Sequence, residues 1–326
     1  MKRIPLKLKG VCKSAIWGGE KLSTQWNKGT PGDAVAESWE LTVRPQENSR
    51  IEGGELDGMT LAEWISKAGH SVVGKDWDGA VFPLLIKFID AKDSLSVQVH
   101  PDDAYASRFE QDRGGTGKTE MWYIVEAEPG AGLVYGLKEG ESPSSFFEAA
   151  ERGESEKCLR FVPVKAGESY FIPAGQVHAI GGGILIAEIQ QNSDLTYRIY
   201  DFGRLSPDGT PRELHLDKAR DAIHAVSDRE VEEIRYALGG KDDPECLANS
   251  PYFKVRSLEV DGTVRSDFVS DESFLFLLCV AGEGNIVYGG DEYPIRKGEG
   301  YFLPAGMGDY QYKGSMKMIG SEARAK

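Results

Sequence analysis

The sequence predicts an all-β chain with a few short helices, arranged as two jelly-roll barrels in tandem. Short apolar or alternating runs bounded by Gly, Pro, Asn and Asp recur along most of its length, which is the punctuation of strands. One segment occurs twice, as Gly167-Glu-Ser-Tyr-Phe-Ile-Pro-Ala-Gly175 and Gly298-Glu-Gly-Tyr-Phe-Leu-Pro-Ala-Gly306. Upstream of each copy lies a strand, a Gly-rich turn and a second strand. In the first copy these are Trp122 to Val125, the turn around Gly130 and Gly132, and Leu133 to Gly136. In the second they are Leu275 to Val280, Ala281-Gly-Glu-Gly284, and Ile286 to Gly289. A strand unit that repeats implies one barrel built twice. The first copy is the longer, and a predicted helix over Ser142 to Ala150 fills the difference.

In chain order, Pro5 to Leu8 reads as a strand, Ile16 to Gly19 as a glycine turn, and Glu37 to Val43 as a strand. Thr60 to Ile65 reads as a short helix, with Thr60 as its N-cap and Glu63 at the capping-box position. Leu84 to Ile89 is a buried strand expected to turn at Asp90 to Asp93. Leu95 to His100 then alternates, placing Ser96, Gln98 and His100 on one face and Leu95, Val97 and Val99 on the other. A face carrying Ser, Gln and His suits a wall that points polar groups into a cavity. Asp102 to Phe109 is a helical turn. The loop Gly114 to Lys118 delivers Lys118 and Glu120 to the head of a strand over Met121 to Glu126. Strands follow near Cys158 to Val162, Ser169 to Ile172, Ile184 to Gln190 and Leu195 to Tyr200, and a helix over Asp217 to Ala225.

At 326 residues the chain is long enough for two domains, placed at 1–228, with the helical insertions, and 229–326. The 38 basic against 52 acidic residues give a net charge of −14, which argues against nucleic acid or an anionic membrane surface as partner. A small anionic substrate remains compatible with a local basic pocket. Cys12, Cys158, Cys246 and Cys279 are scattered, as expected of reduced thiols in a cytoplasm. No apolar run resembles a signal peptide or reaches membrane-spanning length. The expected chain is cytoplasmic and a monomer or weak homodimer.

The Pro-Ala-Gly-x-x-His element and its hairpin partners resemble the cupin superfamily. Ala36-Glu-Ser-Trp-Glu-Leu41, the run from Lys87 to Asp103, Gly117-Lys-Thr-Glu-Met-Trp122, Pro173-Ala-Gly-Gln-Val-His178 and Ser193-Asp-Leu-Thr-Tyr-Arg198 resemble, in order, type I mannose-6-phosphate isomerase. Several spaced motifs in one order are far more specific than any one alone. The resemblance spans roughly residues 5–315, without the large helical insertion of the longest members.

Gln98, His100, Glu120 and His178 are the candidate ligands of one Zn²⁺ per chain, and the resemblance implies the same four positions. Imidazole nitrogens with carboxylate and amide oxygens suit such a borderline ion. A lone histidine is more often a satisfied core or turn residue, which is how His70, His215 and His224 are read. Aligning the repeats sets Ser273 against Glu120 and Asp309 against His178, so only the N-terminal barrel keeps metal-type donors.

The resemblance implies interconversion of mannose 6-phosphate and fructose 6-phosphate through an enediol(ate). Arg198 is the candidate for stabilising that anion, since the family places its catalytic arginine there and a guanidinium is charged at every relevant pH. Asp194, four residues earlier, could orient Arg198 or transfer a proton. Lys118 is a candidate for catalysis and for phosphate binding, with Ser96 and Lys87 as further phosphate candidates. The base stays open among Glu120, Lys118, Asp194 and His100. The alternative reading is a non-catalytic cupin, sugar-binding or regulatory, with a structural metal. A metal oxygenase on the same barrel is a third, disfavoured by Gln98 and the phosphate-type cations.

Overall fold

A computed structural model describes residues 2–206 and 208–324. Strands dominate, and three sheets carry them. The six-stranded sheet runs Ser169–Ile172, Glu120–Ala127, Ile184–Gln191, Leu84–Ala91, Glu37–Leu41, Val11–Lys13, each neighbour antiparallel. Facing it, the five-stranded sheet runs Tyr197–Tyr200, Val97–Val99, His178–Ile180, Gly132–Leu137, Leu159–Pro163. Together they enclose Ile89, Trp122, Ile124, Leu133, Ile180 and Ile186, the interior of the N-terminal barrel. The third sheet has eight strands drawn mostly from Cys246–Ala323, and Leu6–Lys9 and Arg50–Ile51 close its far edge. Among the described residues, no helix is long and apolar enough to cross a membrane.

The strand Leu84–Ala91 is buried along its whole length, which explains its almost continuous apolar run. Ile89 and Ala91 point into the barrel, while Leu84, Ile86 and Phe88 point the other way, into a core shared with Phe253, Phe274, Phe276 and Phe302 of the C-terminal sheet. One strand therefore cements both barrels, and such two-sided burial is the main favourable term in holding them together. The expected turn at Asp90 falls two residues later, because Asp90 and Ala91 still pair with Leu185 and Ile184.

The alternation expected over Leu95 to His100 is only partly kept. Pairing begins at Val97. Val97 and Val99 face outward, under Phe146, Phe147 and Ala219 of the helices Pro143–Glu151 and Leu216–Ala222. Leu95, in irregular backbone tied by its amide to Ile180 O, turns into the barrel instead. The helix Leu61–Ala68 has the full Thr60/Glu63 capping box, and Ser142 caps the inserted helix.

The inserted helix separates the paired strands Gly132–Leu137 and Leu159–Pro163, whereas their counterparts in the second copy, Leu275–Tyr288 and Asp291–Arg296, are joined directly. The second copy corrects one expectation: Ala281-Gly-Glu-Gly284 is not a turn. Leu275–Tyr288 is one continuous strand whose register slips between Cys279 and Ala281 and then resumes, with Ala281 opposite Lys317. Just past the slip Gly282 has φ +74°, and a Cβ there would sit 2.0 Å from Ser315 O, so this close approach of two strands needs glycine. The glycines mark a bulge, which in sequence looks like a turn.

Candidate metal centre and active site

Three strands of the five-stranded sheet set Arg198, Gln98 and His178 side by side, since Gln98 is registered against both of the others. Opposed residues of antiparallel strands project to the same face, here the barrel interior. From the opposite sheet Glu120 arrives at the first position of its strand. His100 follows the strand Val97–Val99, and its carbonyl accepts the amide of Gly175 at 2.8 Å. That contact ties the Pro-Ala-Gly turn to the end of the His100 segment. Gly175 has φ +87°, and the His224 ring leaves no room for a Cβ, which would lie 2.4 Å from it. The turn preceding His178 therefore needs glycine.

His100, Glu120 and His178 are fully buried, and their ligand atoms lie within 4.8 Å of one another. Each imidazole is fixed from behind. His100 Nδ1 lies 2.7 Å from Leu195 O and His178 Nδ1 lies 2.9 Å from Gln176 O. A carbonyl only accepts, so both Nδ1 atoms carry the proton and both Nε2 lone pairs face inward. Those Nε2 atoms are 3.1 Å apart. Neither can donate to the other. Burial pushes His100 down from 6.5 to about 3, helped by the Lys118 ammonium, and burial lowers His178 too. Neutral rings with converging lone pairs, beside a carboxylate, form a donor set that a cation satisfies and a proton does not.

Glu120 is held well below the usual carboxylate range: burial opposes ionisation, but the Lys118 ammonium beside it favours the charged form. Its Oε1 lies 2.5 Å from Lys118 Nζ, in an ion pair without hydrogen-bond alignment, and 3.3 Å from His100 Nε2. Gln98 joins the group with its amide nitrogen 3.3 Å from His178 Nε2; a half-turn of the amide presents oxygen instead. The four expected ligands are thus together.

A pH dependence follows for the metal-free protein. The folded value of His100 lies below its ordinary one, so between pH 6.5 and about 3 the unfolded chain binds more protons. Stability therefore falls as pH falls through that window. Thermal unfolding of chelated protein should show Tm dropping from about pH 7 to about 4, with a shallower fall in His100→Gln. Identical profiles for the two proteins would contradict a neutral, buried His100.

The remaining candidates are distributed unevenly. Lys118, 5% exposed, lies inside the cluster, with Nζ 3.2 Å from His100 Nε2. Ser96 is buried two residues before Gln98. Lys87 is buried and committed elsewhere, 3.1 Å from Glu188 Oε1 and 3.6 Å from Glu37 Oε2. Burial opposes its charge, but the two carboxylates raise its pKa. It is not a free phosphate ligand. Asp194 does not orient Arg198. It is partly exposed and paired with Arg44 at 2.9 Å and Arg113 at 3.5 Å. Arg198 is half-buried; its Nη1 donates to Glu213 O at 2.7 Å and its Nε is buried with no partner among the described residues.

Sequence reading missed the supporting residues. His215 Nδ1 accepts the Arg198 amide at 3.2 Å. Arg204 and Arg212 both pair with Asp201 at 2.5 Å, and their charges act on Arg198. Glu188 shares the Trp122 indole with Glu120. A run such as Ile-Ala-Glu-Ile carries one hint, a lone carboxylate in an apolar strand, which needs a partner. In the C-terminal barrel, Ser273 is buried and bonded to the Ala323 amide, and Asp309 is exposed, so the positions matched to Glu120 and His178 do not meet.

Comparison with known proteins places this geometry among relatives. A family model described as phosphomannose isomerase type I, catalytic domain, matches residues 6–119, and one described as mannose-6-phosphate isomerase, cupin domain, matches residues 245–323. A mannose-6-phosphate isomerase of Streptococcus mutans is 35% identical over 319 residues, covering 98% of each chain. The crystal structure of the mannose 6-phosphate isomerase from Bacillus subtilis superposes with a TM-score of 0.83 at 33% identity, covering 97% of this chain and 99% of that one. A mannose 6-phosphate isomerase crystallised with zinc and yttrium shares the fold, with a TM-score of 0.72 at 14% identity over 98% and 100% of the chains.

Proposed function

This chain belongs to the mannose-6-phosphate isomerase family, and from that membership and the buried donor cluster we propose that it interconverts mannose 6-phosphate and fructose 6-phosphate using one Zn²⁺ per chain. The observation that carries the metal assignment is the pair of inward Nε2 lone pairs, 3.1 Å apart and fixed by Nδ1–H bonds to backbone carbonyls. Gln98, His100, Glu120 and His178 would hold the ion, which when bound supplies Lewis-acid polarisation of a carbonyl and its neighbouring hydroxyl. Residues 1–228 carry these donors, and 229–326 serve as a non-metallated packing partner.

The chain's own groups divide the remaining work. Aldose–ketose exchange moves a proton between adjacent carbons. Among the candidate bases, His100 and Glu120 are committed as donors and Asp194 is held by two arginines. Lys118 stays at the cluster as an ammonium paired with Glu120, placed to give a proton from Nζ. Arg198, beside Gln98 on the same face, stabilises the enediolate charge. For the phosphate, the candidates are Lys118, at the cluster, and the buried Ser96, two residues before Gln98. Arg204 and Arg212 add a net positive charge beside Arg198, since the two share one carboxylate. Glu37, Glu120 and Glu188 against Lys87 and Lys118 carry a formal charge of about −1, although burial and Glu120 push the Glu188 carboxyl up, and a divalent ion makes the balance positive, in favour of an anionic substrate.

Coupled conversion of mannose 6-phosphate to fructose 6-phosphate, with and without chelator, tests the proposal. Conversion by zinc-loaded protein that stops on chelation is expected; none by zinc-loaded protein would leave the binding-protein reading in its place.

A further inference from the structure

Behind the candidate ligands lies a buried chain of polar side chains that ligand binding alone does not explain. Trp122, Glu188 and Lys87 stand opposite one another on three neighbouring strands of the six-stranded sheet. Trp122 is 0% exposed, Glu188 3% and Lys87 7%. The single indole hydrogen of Trp122 serves two carboxylates, with Nε1 3.1 Å from Glu120 Oε2 and 3.0 Å from Glu188 Oε2. On its far side Glu188 is paired with Lys87, which lies 5.0 Å from the Trp39 ring centre and pairs in turn with Glu37.

Two buried carboxylates drawn to one donor repel each other, so the arrangement needs compensation. Lys87 supplies it at the Glu188 end, and Lys118 with the cation would supply it at the Glu120 end. A carboxylate can turn about its last torsion. Glu120 presents Oε1 to His100 and Lys118, and the indole holds Oε2. Resting on the metal reading above, we infer that Trp122 is a positioning residue: anchored through Glu188 by Lys87, its N–H fixes the rotation of the Glu120 carboxylate and thereby sets the affinity of the centre for its ion. The indole plays toward a carboxylate ligand the part that Leu195 O and Gln176 O play toward the two histidines.

Zinc affinity, measured by competition with a chromophoric chelator on the full chain, tests this. Trp122→Phe keeps an aromatic ring and removes the N–H. It should bind zinc roughly 10–100-fold more weakly than the unmodified chain, the usual loss when a ligand's outer partner goes. Trp122→His, which restores an N–H donor, should recover part of that loss, although it fills the space less well than Phe. A packing role alone predicts the reverse order. A Trp122→Phe dissociation constant within about threefold of the original overturns the inference. Should Trp122→Phe fail to fold, cobalt-loaded Glu188→Gln decides. Loosening the anchor should shift its visible absorption bands, and a spectrum superimposable on the unmodified protein overturns the inference. An unmodified chain that binds no zinc instead removes the metal centre itself, and tight wild-type binding with an indifferent Trp122→Phe removes only the positioning role.

Discussion

Replacing Arg198 with alanine is expected to lower turnover roughly a hundredfold or more while sparing the bound metal, the size of effect seen when one fixed donor to a developing oxyanion is lost. The geometry makes the two readouts separable. Arg198 lies opposite Gln98 and shares its face, but it makes no hydrogen bond to His100, Glu120 or His178. Its backbone amide is held by His215 and its Nη1 by Glu213 O, so the side chain is fixed before any substrate arrives. Among the described residues the buried Nε–H has no partner, an arrangement that costs stability unless a ligand completes it. Burial and the neighbouring Arg212 lower its pKa, and a guanidinium starts high enough to keep its charge. Arg198→Lys should not restore the rate, because an ammonium cannot reproduce the planar fork. Near-normal turnover in Arg198→Ala, with zinc content intact, would sink the assignment. Loss of zinc along with activity would make Arg198 a support of the centre.

The cluster of candidate ligands was legible because its signals are local. Gln98 and His100 are two apart on one segment, Glu120 heads an apolar run, and His178 follows a turn that is spelt out by Pro-Ala-Gly. Ordered motifs across the chain then specified which barrel they build. What lay hidden was pairing across strands. Nothing in Leu84-Leu-Ile-Lys-Phe says whether Lys87 meets a phosphate or a carboxylate; that is settled by its register with Glu188. Asp194 sits four residues before Arg198, yet the turn between them sends it to Arg44 and Arg113. The bulge between Cys279 and Ala281 escaped for a different reason, since a glycine-rich stretch reads alike in a turn and in a slipped register. Sequence pointed to the candidate donors and not to the partners behind them, because partners come from neighbours distant along the chain.

The larger effect is expected from removing a donor outright. His178→Ala should leave the chain folded, with a zinc affinity reduced by more than the roughly 10–100-fold that follows loss of an outer partner, and with activity near that of chelated wild type. The ring lies 4.7 Å from His100 and 5.4 Å from Trp122, centre to centre, so its loss opens a small cavity against two rigid aromatic neighbours. It leaves no uncompensated charge, because His178 is neutral when buried. Glu120→Gln is a poorer choice for the same test: it strands the Lys118 ammonium beside a neutral amide, and breaking a buried ion pair costs about 3–5 kcal/mol. The informative measurement is activity of His178→Ala against added zinc. Rate that returns as the ion is raised, over a range shifted far above that of wild type, identifies His178 as a ligand of a catalytic ion. Rate that stays low at saturating zinc, with full metal content, would mean the residue acts on the substrate directly. Undiminished activity in His178→Ala without zinc would end the case for a metal-dependent isomerase.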